Sequence, residues 1–228
     1  MIVRPADGRL FLITQPDHAR LSGRIMEHCA SLQTHARRQT ILRAIGAHDD
    51  GWLEEDAAPR ILHGTGAVAD FVGAPIEVRQ GVWARGISRM DDAWAAALIA
   101  QHAMTIYDRF RGEPGWREFF REMEGERDVR VRASGLTLDQ LLTDYPFVRL
   151  GDLISLTFCT RATFEPYAGW AVAPSGESVR VTPDTFAGAA IPIEIPARSI
   201  PDRRYTTDAE LRAAFQDAEV VQLRSVCA

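Results

Sequence analysis

The chain has 228 residues, 46% hydrophobic and 25% charged, with a net charge of −5; this suits a water-soluble globular protein with room for a sizeable core and speaks against a nucleic-acid partner. No run of about 18 apolar residues offers a membrane span, MIVRPADGRLFLIT lacks the apolar centre of a signal peptide, and the scattered Cys29, Cys159 and Cys227 form no CxxC and point to a reducing cytoplasm. All 26 basic residues are arginine, so Schiff-base chemistry, pyridoxal phosphate attachment and a Walker A loop, each of which needs lysine, fall away.

Along the chain, Met1–Val3 and Leu10–Ile13 flank Ala6-Asp7-Gly8, which predicts a hairpin. Thr14-Gln15-Pro16-Asp17 predicts a capped helix start, and the helix after it sets His18 in line with Leu21, Ser22, Ile25, Met26 and Cys29. A second helix over about 34–47 leads Ile41, Ala44 and Ile45 into His48, with Gly51 ending it. Residues 53–80, rich in Gly, Pro and Ala, read as a long ordered loop that includes His63-Gly64-Thr65-Gly66. A third helix over about 88–111 spaces Trp94, Leu98, His102 and Ile106 four apart. Residues 116–126 predict a solvated amphipathic helix, and 136–142 a short one. In a fourth apolar helix, 145–161, Val148, Asp152, Ser155, Leu156 and Cys159 share a face. Short β-type runs follow at 169–172, 178–182 and 191–195, then a capped helix over 207–217 and a strand over 219–226. The expected fold is α+β in one domain, 1–228. A helical core, 14–162, is flanked by a small sheet from the N- and C-terminal segments, 1–13 and 163–228. The N-terminal hairpin pairs with the 219–226 strand, and an apolar face on that sheet would make a homodimer.

Burying an unpaired polar group costs roughly 2–7 kcal/mol, so four polar positions on four apolar stripes need partners: His18, His48-Asp49, His102 and Asp152. Taken singly, such a histidine is more often a hydrogen-bonded core residue, and Asp152 also reads as one half of a helix-to-helix ion pair. Taken together, they converge on one metal site, whose imidazoles and carboxylates suit Fe, Mn, Zn, Mg or Ni. Asp50 and Asp56 read as loop or capping carboxylates, Trp52 as a packing anchor, and Cys29 and Cys159 as small core residues. His63 reads as a solvated loop residue with a ligand role as the alternative, and His28 and His35 carry no assignment.

The order His18, His48-Asp49, Asp152 resembles the H…HD…D signature of the HD-domain superfamily, helical metal-dependent phosphohydrolases. His48-Asp49-Asp50-Gly51 also resembles the HD-x-G segment of its phosphodiesterase branch, with Trp52 where that branch has a basic residue. His102 resembles an added ligand of the expanded, two-metal version, which has a further intervening histidine; His63 is the candidate between His48 and His102. The segments ITQPDHARLSG, AIGAHDDGW, SRM…QHAMTIY and GDLISLTFC resemble, over nearly the whole chain, an uncharacterised bacterial family with an HDDGW motif, a domain of unknown function that brings no activity with it. The HD resemblance implies a divalent ion held by His18, His48, Asp49, His102 and Asp152. Asp49 would orient or deprotonate the attacking water. His102 would bind a second ion or hydrogen-bond a phosphoryl oxygen, and an arginine would neutralise an anionic small-molecule substrate. Two readings stand beside it: a di-iron oxygenase of the HD-like type, and a non-catalytic binding or sensor protein with a structural or vestigial metal site.

Overall fold

Asp7 and Gly8 have φ of 52° and 71°, the backbone that a two-residue type I′ turn requires. In the computed structural model, which describes residues 1–228, they join β1 (Ile2–Ala6) to β2 (Arg9–Ile13) with Ala6 opposite Arg9. The other strands are β3 (Ala171–Ser175), β4 (Ser178–Thr182), β5 (Ile191–Pro201) and β6 (Glu219–Cys227), in the sheet order β1-β2-β5-β6-β4-β3. The N-terminal hairpin therefore does not pair with the C-terminal strand, contrary to the expectation above. β5 lies between them because its 11 residues are long enough to pair along both edges, with β2 through Arg9–Leu12 and with β6 through Ile191–Ser199. Ile191, Ile193, Ile195 and Ala197 alternate inward along it and supply the sheet's buried face.

The helices are α1 (Gln15–Met26), α2 (Arg38–Ala47), α3 (Leu53–Ala57), α4 (Ile76–Arg89), α5 (Ala93–Ile106), α6 (Arg117–Ser134), α7 (Leu138–Thr160) and α8 (Asp208–Gln216). The fold is α+β, with the sheet built from the two terminal segments. Thr14 caps α1, its hydroxyl accepting from Asp17 N at 3.1 Å. Three elements differ from the sequence expectation. First, the stretch 53–80 is not all loop: α3 and the start of α4 fall inside it. Second, the expected helix 88–111 is broken, because the Asp92 carboxylate accepts from Ala95 N at 3.0 Å and caps a new helix there. Third, 136–142 and 145–161 are one 23-residue helix, α7, which carries Pro146 in its interior. The missing Pro146 N–H leaves the Leu142 carbonyl without its helical donor; Leu142 is exposed, so water can serve it.

Hydrophobic side chains from the helices and the sheet share one core cluster, in which Leu21, Ile25 and Ile154 meet Val179, Ile193 and Ile195. A smaller cluster under α8 gathers Leu10, Leu12, Tyr205 and Phe215. α5 runs through the larger core: every residue from Trp94 to Ala100 is buried, and its alanines let neighbouring helices come close. Two glycines set the frame of the site. A Cβ on Gly151 of α7 would lie 2.9 Å from both Ile45 of α2 and Met26 of α1. A Cβ on Gly51 would lie 1.8 Å from the Val82 carbonyl oxygen of α4. Gly51 is thus a close-approach residue in the Asp50–Trp52 turn rather than the end of α2, which stops at Ala47. No helix is long and apolar enough to cross a membrane.

Candidate metal centre

Four helical segments deliver the five residues to one place. His18 comes from the second turn of α1, His48 and Asp49 from the end of α2, His102 from α5 and Asp152 from α7. All five are buried, His18 completely. His18 Nε2 lies 3.1 Å from Asp152 Oδ1 and 3.8 Å from Asp49 Oδ2. His48 Nε2 lies 3.5 Å from Asp49 Oδ2 and 3.7 Å from Asp152 Oδ1, and His102 Nε2 is 3.6 Å from Asp152 Oδ2. The imidazoles meet edge to face, at 5.3 Å for His18–His48 and 4.9 Å for His48–His102. Two overlapping triads, His18–His48–Asp49 and His48–His102–Asp152, each present ligand atoms within 4.8 Å of one another.

The partners of the imidazoles settle their tautomers. The Ser155 hydroxyl donates to the His18 carbonyl at 3.0 Å, so it receives a hydrogen bond from His18 Nδ1–H at 2.7 Å. His48 Nδ1–H donates to the Ile45 carbonyl, also at 2.7 Å. With Nδ1 protonated, the neutral form of either ring turns its lone pair at Nε2 toward the carboxylates, the arrangement that orients histidine ligands in metal sites. His48 Nε2 is buried and finds no close hydrogen bond, only the Asp49 and Asp152 carboxylates at 3.5 and 3.7 Å, a loose arrangement that costs the neutral nitrogen its full hydrogen bond. An ion among these donors removes that cost, so the residues fit a metal ion; the donor set leaves the identity of the ion open.

The electrostatics agree with a coupled cluster. Burial alone would lower the His48 pKa, but Asp49 foremost, with Asp152 and the Ile45 carbonyl, carries it up to about 9. Burial likewise favours protonation of Asp152, yet His18, His48 and Arg149 hold it well below the usual carboxylate range. Burial pushes the Asp49 carboxyl up against the pull of His48 and His18. It also keeps His102 well below the usual imidazole range despite Asp152, so His102 is neutral at pH 7.

A cavity of about 260 Å³ opens above the cluster. His18, Asp49, His102 and Asp152 line it, together with Gln15, Trp52, Trp83, Tyr107 and three arginines, Arg79, Arg109 and Arg149. Arg149 hydrogen-bonds Asp152 Oδ2 from three residues earlier on α7. The arginines and Trp83 were not singled out from sequence. Arg149 had a signal, the i,i+3 spacing to Asp152 on a helix; Arg79 and Trp83 belong to α4, which the pattern did not reveal.

Other sequence candidates lie elsewhere. His63 is exposed and lines a different hollow with Asp56 and Asp70, so it is no ligand of this cluster. Asp56 is buried, pairs with the Met1 amino group and accepts from Gln15 N at 2.5 Å. Asp50 starts the turn after Asp49, and Gly64–Gly66 lie in a turn. The Trp52 ring is buried and lines the cavity. Cys29 and Cys159 are buried free thiols. His35 pairs at 3.3 Å with Asp144, a wholly buried carboxylate that also receives Arg37 through two hydrogen bonds and Trp94 Nε1 at 2.9 Å.

Fold and site together define an α+β protein with a buried His/Asp group able to hold a metal ion. The chain belongs to the family described as protein of unknown function DUF3891, whose family model matches residues 1–202 and so ends before α8 and β6. No curated protein and no solved structure matches the chain significantly.

Proposed function

We propose that the protein is a metal-dependent phosphohydrolase of the HD-like type, acting on a small phosphorylated metabolite or nucleotide. His18, His48, Asp49, His102 and Asp152 are its ligand set. The observation that carries this reading is the buried His48 Nε2, without a close hydrogen bond, facing Asp49 and Asp152. The shared His48 favours one ion over two: its Nδ1 is engaged by Ile45, so it has a single lone pair to give, and the two triads cannot both be filled. Mixed imidazole and carboxylate donors suit Fe, Mn or Zn, with Mg and Ni as further candidates.

A divalent ion bound there supplies Lewis-acid activation of water at neutral pH. The chain's own residues do the rest. Asp49 Oδ2 faces the cluster, and burial raises the proton affinity of the carboxylate, so with Oδ2 toward the ion its other oxygen would orient an attacking water and take its proton. His102, held neutral, presents Nε2 beside Asp152 and serves as a ligand or as a partner for a phosphoryl oxygen. Trp52, Trp83 and Tyr107 wall the cavity and limit its water. At about 260 Å³ the cavity takes a small molecule. The test is hydrolysis of a panel of phosphomonoesters, phosphodiesters and nucleotides, read as phosphate release from the monoesters and as alcohol and monoester products from the diesters, with the protein loaded in turn with each of the five metals. Metal-dependent turnover that Asp49→Asn abolishes is expected; no turnover with any metal on any phosphoester overturns the reading.

A further inference from the structure

We propose that Arg79 and Arg109 form a binding wall for a phosphoryl dianion in the cavity above the His/Asp cluster. Resting on the phosphohydrolase reading, this names which groups hold the substrate's charge.

Three observations carry it. The charged side chains that line the cavity are three arginines and two aspartates, a formal excess of one positive charge that a divalent ion raises to three. Of the arginines only Arg149 is paired, to Asp152. Arg79 and Arg109 instead rest against the same ring: their guanidinium carbons lie 5.7 Å and 4.6 Å from the Phe110 centroid, and Arg79 also lies 5.4 Å from Trp116. Two cations gathered on one aromatic ring without a counter-charge repel each other, and the natural relief is an anion between them. Finally, Arg79 Nε is buried and has no hydrogen-bond partner. Arg85, on the same helix but off the cavity, is by contrast held by Glu55 at 3.2 Å.

The donor inventory selects the ligand. Two guanidinium forks carry twice the charge of a single carboxylate and offer more donors than its two oxygens engage in one bidentate pair. The three terminal oxygens of a phosphate monoester, at about −2 charge near neutral pH, can meet both forks and balance their charge.

Isothermal titration of purified protein with inorganic phosphate, beside malonate as a dicarboxylate of equal charge, tests the wall. Metal content is measured on every sample. Phosphate should bind the wild type at least about tenfold more tightly than malonate. Arg109→Gln and Arg79→Gln should each weaken phosphate about tenfold, the loss of one charge-assisted contact, with metal content unchanged, while Arg85→Gln leaves binding unaltered. Arg109 is exposed, so its variant carries the test even if Arg79→Gln unsettles the stack on Phe110 and Trp116. No phosphate binding by the wild type, equal affinity for malonate, or wild-type affinity in both cavity variants overturns the proposal. Arginine-dependent phosphate binding in a chain that takes up no metal would sink the phosphohydrolase reading alone. A metal-loaded chain indifferent to the arginines would sink this inference alone.

Discussion

Replacing Gly51 by alanine drives a methyl group into the backbone of α4. The new Cβ would sit 1.8 Å from the Val82 carbonyl oxygen, 2.7 Å from its carbon and 3.0 Å from Gly86 N. All three are main-chain atoms, so no side chain can rotate away. A carbon–oxygen contact relaxes at about 3.3 Å, which asks the turn and the helix to part by roughly 1.5 Å. α4 buries Val82, Trp83 and Ile87, and parting it loosens that packing. Overpacking costs about 1–3 kcal/mol, and a purely backbone clash belongs at the upper end. For a chain of this length a 3 kcal/mol loss lowers the melting temperature by roughly 6–12 °C. Gly125→Ala is the internal control: it lies within α6 with nothing inside 4 Å of the added methyl, so it should stabilise by about 0.5–1 kcal/mol. Calorimetric unfolding of the two variants beside the wild type reads both. Gly51→Ala melting within about 2 °C of wild type would refute the close approach of α4 to the His48–Trp52 turn.

Ser155→Ala removes the acceptor that holds Nδ1–H of His18 without touching a ligand atom; metal affinity should fall about 10–100-fold, and a calorimetric metal titration equal to wild type would contradict the tautomer argument. Asp144→Asn strips the charge from a buried carboxylate that binds Arg37, His35 and Trp94; since Arg37 is partly exposed, the loss should be about 2–4 kcal/mol in denaturant unfolding, and an unchanged midpoint would argue against the network. The raised His48 pKa fixes a sign for the chelator-stripped protein: the folded state binds the proton more tightly than the unfolded chain, so this stabilisation is complete below pH ~6.5 and is lost as pH rises through about 9. The melting temperature of the stripped protein should fall across that window, and less steeply in His48→Gln; a rising profile would reverse the assignment.

The site was legible where helical periodicity placed a polar residue on an apolar stripe. His18, His102 and Asp152 each sit where an apolar side chain is expected, and the structure brings them together with His48 and Asp49. α4 was not legible, because Gly81, Gly86 and its charged residues dilute the apolar stripe to Val82, Trp83 and Ile87. Its key contact is Gly51 against main chain, which hydrophobic spacing does not report. Losing α4 hid Arg79 and Trp83, two of the residues that line the cavity. Ser155 was visible on the stripe of Asp152, but its service to His18 spans 137 positions. α7 joins what the pattern read as two helices and absorbs Pro146 at an exposed turn, and Asp92 capped a new helix inside what periodicity joined.

The central claim is that these five side chains hold a metal ion. Elemental analysis of protein purified without chelator and then dialysed against each candidate divalent ion, wild type beside His48→Ala, tests it most directly. About one tightly held ion per wild-type chain, lost in His48→Ala while the variant keeps its helical content, is the expected result. A wild-type chain that retains no ion under any of these conditions, or a His48→Ala chain that retains as much as wild type, would contradict the account.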